Sequence, residues 1–431
     1  MDGDGEISSL RIGIVCPYSL TIPGGVQGQV MGLARSLRRL GHEVRVLGPC
    51  DGAPPDTFVT PIGESLPTVA NGSVAPLAPD PSAALRTIRV LRDEEFDVLH
   101  LHEPLAPGPN ITALVMRTAP IVATFHAAGD SLSYRYLSGP LKGFASAIDH
   151  RVAVSKDAAE LVSRYLGGEY EILPNGVELD RFRPRVRRHD RTEGPSIFFC
   201  GRHEPRKGLE ILLQAHRELP AEVQVWVASD GPETARLRAQ YAGDDRVQWL
   251  GRISDDEKAE RLRAASIFCA PSLGGESFGV VLIEAMAAET PIVASAIDGY
   301  MNVATHEVDA VLVEPGDVEE LRNALRRVLS DGGLGDRLRT AGRLRAESFS
   351  MDALAETYAA RYRQVVTAGR ESAKRRTKSA VTTGPGDLTE FLRRAWDTAR
   401  AVLRSTLDRG IPARVGFIDR IRRLVRRMMV P

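Results

Sequence analysis

The sequence predicts an α/β fold of two doubly wound domains facing each other across a cleft, followed by a basic helical tail. Three observations lead there. Short β-branched runs alternate with helical patterns nearly throughout, as parallel sheets covered by helices on both faces require. The alternation breaks at 184–195, where Pro-Arg-Val-Arg-Arg-His-Asp-Arg-Thr-Glu-Gly-Pro is charged and has no apolar period, and then starts afresh; such a segment reads as a linker. A chain of 431 residues also exceeds what one hydrophobic core usually organises.

In the first half strands are expected over 11–16, 43–48, 97–102, 121–125, 151–155 and 171–173. After the first, Val30, Leu33, Leu37 and Leu40 recur at helical spacing and Gly41 closes the run, giving a βαβ opening. The second half offers strands over 197–201, 224–228, 247–250, 266–270, 291–295 and 311–313, with helices near 209–218, 255–264, 278–288 and 318–329. The resulting division is a domain over 10–183, a linker over 184–195, a second domain over 196–366, a polar linker over 367–386 and a helical tail over 387–431.

Hydrophobic residues at 43% and charged residues at 26% exclude wholesale disorder. The zero formal charge hides an asymmetry: 367–431 carries sixteen Lys and Arg against six Asp and Glu, leaving forty against fifty in the preceding body. Cys16, Cys50, Cys200 and Cys269 lack CxxC spacing and read as reduced core thiols rather than a zinc site or disulfide frame. The acidic stretch over 1–9 leads straight into a strand, so no secretory signal is expected, and no run approaches the length of a membrane span.

In open parallel sheets ligands sit beyond the carboxyl ends of the strands, so the loops there are where chemistry belongs. The first strand is followed by Tyr18 and then Pro23-Gly24-Gly25-Val26-Gln27, a glycine pair opening a helix whose free N–H groups can receive an anion. It is not GxGxxG, which argues against a nicotinamide site; a plain tight turn is the alternative. The second domain opens with Gly201-Arg202-His203-Glu204-Pro205-Arg206-Lys207-Gly208, where two or three cations can neutralise a diphosphate. Further on, Gly274-Gly275-Glu276-Ser277-Phe278-Gly279 precedes a helix carrying Glu284. Placed on one helix, Glu276 and Glu284 lie about 80° apart around the axis and face one cleft. Either charge cluster alone could be a solvated face or a helix-end charge; their joint occurrence after strands of one domain favours a site.

The set Pro-Gly-Gly-Val-Gln, His-Leu-His-Glu-Pro (100–104 with Leu101), Ala-Thr-Phe-His (123–126), Pro-Asn-Gly-Val (174–177), Gly-Arg…Arg-Lys-Gly and Gly-Gly-Glu-Ser-Phe-Gly…Glu-Ala-Met-Ala resembles the retaining, nucleotide-sugar-dependent glycosyltransferases of the GT-B fold, glycosyltransferase family 4. Within them it is most similar to bacterial phosphatidylinositol α-mannosyltransferases. The resemblance covers residues 11 to 366. It implies that Arg202 and Lys207 hold the donor diphosphate, Glu276 the sugar hydroxyls and Glu284 the nucleotide ribose. Gly25, Ser277, Phe278 and Gly279 would complete the donor site, and Tyr18, Gln27, Asn71 and Ser73 would line the inositol acceptor. His126 corresponds to the family's active-site histidine. The implied donor is GDP-mannose, transferred with retention and without a metal or other cofactor; no nucleic-acid partner is implied. Rival readings are another donor or acceptor, such as N-acetylglucosamine transfer to inositol phosphate, or a catalytically silent scaffold.

Some features depart from that pattern. Glu289 and Ala310 stand where the superfamily usually has glycine. Over 81–92, where the similar enzymes carry a basic cluster, this chain has Arg86, Arg89 and Arg92 beside Asp93, Glu94 and Glu95. The tail offers a substitute: Phe417, Ile418, Ile421, Leu424, Val425, Met428 and Met429 form an apolar stripe, with Arg420, Arg422, Arg423, Arg426 and Arg427 opposite. Such a helix is expected to lie in the interface of an anionic membrane, placing the enzyme in the cytoplasm, peripheral on the inner face of the plasma membrane. Packing on the acidic body is the alternative. His100 and His102 with Glu103 resemble metal ligands but lack an evident further partner in the sequence, so a structural or acceptor-lining role is expected.

Overall fold

A computed structural model describes residues 9–70, 73–127, 142–183 and 194–379. Two parallel sheets carry the molecule. The N-terminal sheet has seven strands in the order β3-β2-β1-β6-β7-β8-β9. They are β1 (Arg11–Val15), β2 (Glu43–Gly48), β3 (Val59–Pro61), β6 (Val98–His102), β7 (Ile121–Phe125), β8 (His150–Ala153) and β9 (Glu171–Ile172). Between β3 and β6, β4 (Leu66–Ala70) and β5 (Ser73–Leu77) form a separate antiparallel hairpin. The C-terminal sheet has six strands in the order β12-β11-β10-β13-β14-β15: β10 (Ser196–Cys200), β11 (Gln224–Ala228), β12 (Val247–Gly251), β13 (Ile267–Ala270), β14 (Ile292–Ser295) and β15 (Val311–Val313).

In each sheet the strand order reverses beside the first strand, between β1 and β6 and between β10 and β13. This leaves a crevice at the strands' carboxyl ends. Strands β6 and β7 are buried at every position, as strands covered on both faces must be, which is why their sequences are apolar runs interrupted only by groups that find partners. The covering helices are α1 (Gly25–Arg39), α2 (Pro81–Asp93), α3 (Pro109–Met116) and α4 (Lys156–Leu166) in the first lobe. In the second they are α5 (Leu209–His216), α6 (Thr234–Gln240), α7 (Asp255–Ala264), α8 (Val280–Ala287), α9 (Val318–Ser330) and α10 (Gly332–Glu347). Three of the four cysteines, Cys16, Cys50 and Cys269, are buried, and all four are free thiols.

The last helix among the described residues, α11 (Met351–Ser379), departs from the expected division. Met351, Ala355, Tyr358, Ala359, Tyr362 and Val366 belong to the N-terminal core, packed with Val30, Leu33 and Leu37 of α1. The helix also continues through 367–379, where a polar linker was expected, without a break at Val366. Conversely Val177, Leu179 and Phe182, placed by sequence in the first domain, pack in the second core. The chain thus crosses between lobes twice, and the crossings are tied together: Val177 N–H donates to Phe349 O (2.8 Å) and Met351 N–H to Val177 O (2.9 Å). Apolar spacing reveals that these residues are buried, but not in which core. The expected tail over 387–431 and most of the linker over 184–195 lie outside the described residues.

Candidate active site

The charged half of the site is built by two loops of the C-terminal lobe. After β10 the chain makes a single 3-10 turn over Pro205–Lys207 and enters α5 through Gly208, whose φ of 67° is left-handed. A β-carbon there would overlap the carbonyl oxygen of Pro271, so only glycine lets the backbones approach. Leu273 N–H donates to Arg206 O (2.7 Å), stitching this loop to the one after β13. The side chains then form one relay. Arg202 Nη2 lies 3.1 Å from Glu204 Oε1, Arg206 Nε 2.9 Å from Glu204 Oε2, Arg206 Nη1 3.1 Å from Glu276 Oε1, and Lys207 Nζ 2.5 Å from the same Glu276 oxygen. Three cations therefore share two carboxylates, leaving a net positive charge at the strand ends.

Glu276 also lines a cavity of about 620 Å³ between the lobes, walled on the other side by Asp157, Glu160, Leu161 and Arg164 of α4. Asn302 Nδ2 donates to Asp157 Oδ2 (3.1 Å) across this gap. Deeper in the second lobe Glu284 accepts from Lys258 Nζ at 2.8 Å. Burial would depress the Lys258 ammonium, but Glu284, with Cys200 and Asp255, outweighs it and holds the pKa above its ordinary value.

The N-terminal half is different in kind. His126 follows β7, and its Nε2 lies 2.9 Å from His102 Nδ1. His100, on the same face of β6, bonds through Nδ1 to Tyr362 OH (2.7 Å) and through Nε2 to Thr124 Oγ1 (2.8 Å). Thr124 Oγ1 in turn meets Tyr358 OH at 2.8 Å. Burial lowers His100 and His126 to about 3, Asn175 opposing it at His126, so all three imidazoles, His102 included, are neutral. Among the described residues no cluster of His, Cys, Asp and Glu has the arrangement of a metal site.

Comparison with known proteins decides what such a pair of lobes is. Residues 23–181 match Glycosyltransferase Family 4, and 194–331 match Glycosyl transferases group 1. The phosphatidyl-myo-inositol mannosyltransferase of Mycobacterium leprae is 39% identical over 375 residues, spanning 84% of this chain and 98% of that protein. That of Mycolicibacterium smegmatis is 41% identical over 75% of this chain and 86% of its own length. The chain belongs to the phosphatidyl-myo-inositol mannosyltransferase family. Its fold is GT-B: sucrose-phosphate synthase from Thermosynechococcus elongatus superposes with a TM-score of 0.67 at 21% identity, covering 83% of this chain and 100% of that one. Anabaena HepE, solved with UDP and glucose, gives 0.65 at 17%, covering 81% of this chain and 98% of that one.

In this glycosyltransferase Arg202, Lys207 and Glu276 belong to one charged cluster, and Arg206, passed over in the sequence, links them through Glu204 and Glu276. It lay in the quoted motif, but nothing in its spacing distinguished it. Lys258 was also missed; its i,i+3 relation to Asp255 was visible, but its partner Glu284 is twenty-six residues on. Glu276 and Glu284 do not share a helix: Gly279 has φ 81° and α8 begins only at Val280, so the helical-wheel argument fails while both carboxylates remain in the lobe. Phe278 is buried against Phe349, ring centroids 5.7 Å apart, and Gly279 approaches the Tyr300 ring, so both shape the loop; Ser277, just before them, is half-buried. Gln27 is buried, its amide donating to the carbonyls of Ser19 and Ile22, which clips the glycine loop shut. Gly25 starts α1 with open space above it. Tyr18 bridges to Leu77 of the hairpin. Ser73 begins β5, while Asn71 lies outside the described residues. The His126 imidazole is turned into the lobe and does not line the interlobe cavity. Glu289 has φ 55°, the left-handed backbone that a glycine would adopt without strain.

Proposed function

We propose that this glycosyltransferase transfers mannose from GDP-mannose, with retention, to the inositol ring of phosphatidylinositol. The observation that carries the reading is the convergence of Arg206 and Lys207 on Glu276 beside the interlobe cavity, in a chain 39% identical to a phosphatidyl-myo-inositol mannosyltransferase. A donor diphosphate would replace Glu276 as the partner of Lys207, freeing that carboxylate to accept hydrogen bonds from the sugar. As the anomeric carbon–oxygen bond breaks, negative charge grows on the diphosphate. Arg202, Arg206 and Lys207 are already aimed at it, so stabilisation costs little reorganisation. With these cations supplying the positive charge, the proposal assigns no role to a metal ion.

Retaining glycosidases place a nucleophilic carboxylate about 5 Å from an acid. Glu276, once released from Lys207, is assigned to the sugar hydroxyls rather than to the anomeric carbon, which favours front-face attack, with a donor phosphate oxygen taking the acceptor proton. Closure of the lobes would exclude water that otherwise hydrolyses the donor. The basic tail over 387–431 would deliver the enzyme to an anionic membrane, each basic residue contributing about 1 kcal/mol.

Radiolabelled transfer from a panel of GDP-, UDP- and ADP-sugars to phosphatidylinositol vesicles and to free inositol phosphate tests this reading. Label from GDP-mannose alone should enter the lipid, with the product anomer retained. Transfer only from another donor, or only to soluble inositol phosphate, would overturn it. Removing 387–431 should abolish vesicle binding; unchanged binding would refute the role given to the tail.

A further inference from the structure

Glu103, the residue after β6, is a charged side chain buried within the N-terminal lobe, only 8% exposed. Its backbone is left-handed, with φ 50° at a residue other than glycine. A residue held in that region persists only where its surroundings over-determine it, and such positions gather at functional sites. The surroundings do so here. Glu103 N–H donates to Thr124 O (2.8 Å), and its carbonyl accepts from Ala106 N–H (3.0 Å) and Asn110 Nδ2 (2.9 Å). The consequence is that the carboxylate is aimed at the end of β7. Oε1 accepts from His126 N–H at 2.6 Å and from Ala127 N–H at 2.5 Å. Both are short for amide donors, as expected where the acceptor is charged.

We propose that Glu103 is a positioning residue for glycosyl transfer: its carboxylate fixes the His126–Ala127 backbone while His102 fixes the His126 ring, so that the carboxyl end of β7, beside the crevice where such sheets bind ligands, keeps one geometry. The assignment deepens the transferase reading and rests on it. Among the described residues the ionisable side chain that interacts with Glu103 is Tyr18, from the loop after β1, while His126 and Ala127 meet the carboxylate through their backbone N–H groups. Among the described residues no Arg or Lys pairs with it. Burial accordingly pushes its carboxyl up to about 7, against the two backbone N–H groups that favour the anion. The grip should therefore weaken as pH falls through neutrality, when the carboxylate takes a proton.

The test compares the full chain with Glu103→Ala and Glu103→Gln in steady-state transfer from pH 6 to 8.5 and in hydrogen–deuterium exchange at the His126 and Ala127 amides. Glu103→Ala should lose about tenfold or more in kcat with donor KM unchanged, and its two amides should exchange faster. Glu103→Gln, which keeps an acceptor oxygen but is neutral at every pH, should fall between wild type and Glu103→Ala in protection and kcat, near the level the wild type reaches once protonated, and should lose the wild type's decline in rate below about pH 7. Wild-type kcat and protection in Glu103→Ala, or an undiminished acid limb in Glu103→Gln, would overturn the proposal. If Glu103→Ala fails to fold, the pH profile of Glu103→Gln decides. Should the wild type transfer no mannose to the lipid, the functional reading fails separately, and unchanged amide exchange in Glu103→Ala would still overturn the positional claim.

Discussion

The two lobes solve opposite electrostatic problems on nearly the same scaffold. In the C-terminal lobe Arg202, Arg206 and Lys207 surround Glu204 and Glu276 at the strand ends, partly open to solvent. In the N-terminal lobe a buried, neutral network of three imidazoles, Thr124 and two tyrosine hydroxyls surrounds β6 and β7, and the Glu103 carboxyl beside it is held by backbone N–H groups rather than by a cation. A cluster with surplus charge is prepared for a charged ligand, and its open setting lets water stabilise it until that ligand arrives. A neutral network tolerates burial and holds its shape without a counter-ion. On the proposed reading, the charged lobe takes the nucleotide diphosphate and the neutral network keeps the shape of the other lobe.

The sharpest way to break this comparison is to remove charge from the charged lobe. Lys207→Ala should lower kcat/KM for the donor by about a thousandfold, and a loss below tenfold would mean that Lys207 does not meet the diphosphate. Next in size is Gly208→Ala, which collides with the Pro271 carbonyl and forces a left-handed alanine. Chemical denaturation should show it less stable by about 3 kcal/mol, whereas an unchanged midpoint would mean that the loop relaxes freely.

Subtler is Glu276→Gln. It removes the carboxylate that competes for Lys207 and Arg206, so GDP alone should bind about tenfold tighter by calorimetry while transfer falls. Weaker GDP binding would contradict the competition. The smallest effect belongs to the neutral lobe. His100 and His126 have folded values near 3 against an ordinary 6.5, so the unfolded chain takes up protons first as pH falls, and stability is lost below about 6.5. Glu103, raised to about 7 from 4.5, works the other way over 4.5 to 7. Two depressed histidines, joined by His102, outweigh one carboxyl, so the melting temperature should drop by a few degrees between pH 7 and 5. A flat or rising profile would show that the imidazoles are not held neutral.

How legible each lobe was in the sequence follows from the same contrast. The charged loops are compact: 201–208 and 274–284 each follow a strand, and their residue types announce anion chemistry before any fold is known. The neutral network is assembled from afar, with His100 meeting Tyr362 across 262 positions and Thr124 meeting Tyr358 across 234. Its residues could be read as buried, but not as partners, because α11 returns to the first lobe and no local pattern says so. Strand placement in both sheets was legible from apolar runs except for β3, whose three residues Val59–Pro61 are too few to show a pattern; the helix boundary at Val280 was not legible, because Gly279 turns the chain there.

The central claim is best met by a crystal structure with GDP-mannose bound. It should show diphosphate oxygens within about 3 Å of Arg202 and Lys207, with Glu276 released from Lys207 and turned to the hexose. A nucleotide lodged elsewhere, or an intact Lys207–Glu276 pair beside a bound donor, would contradict the account.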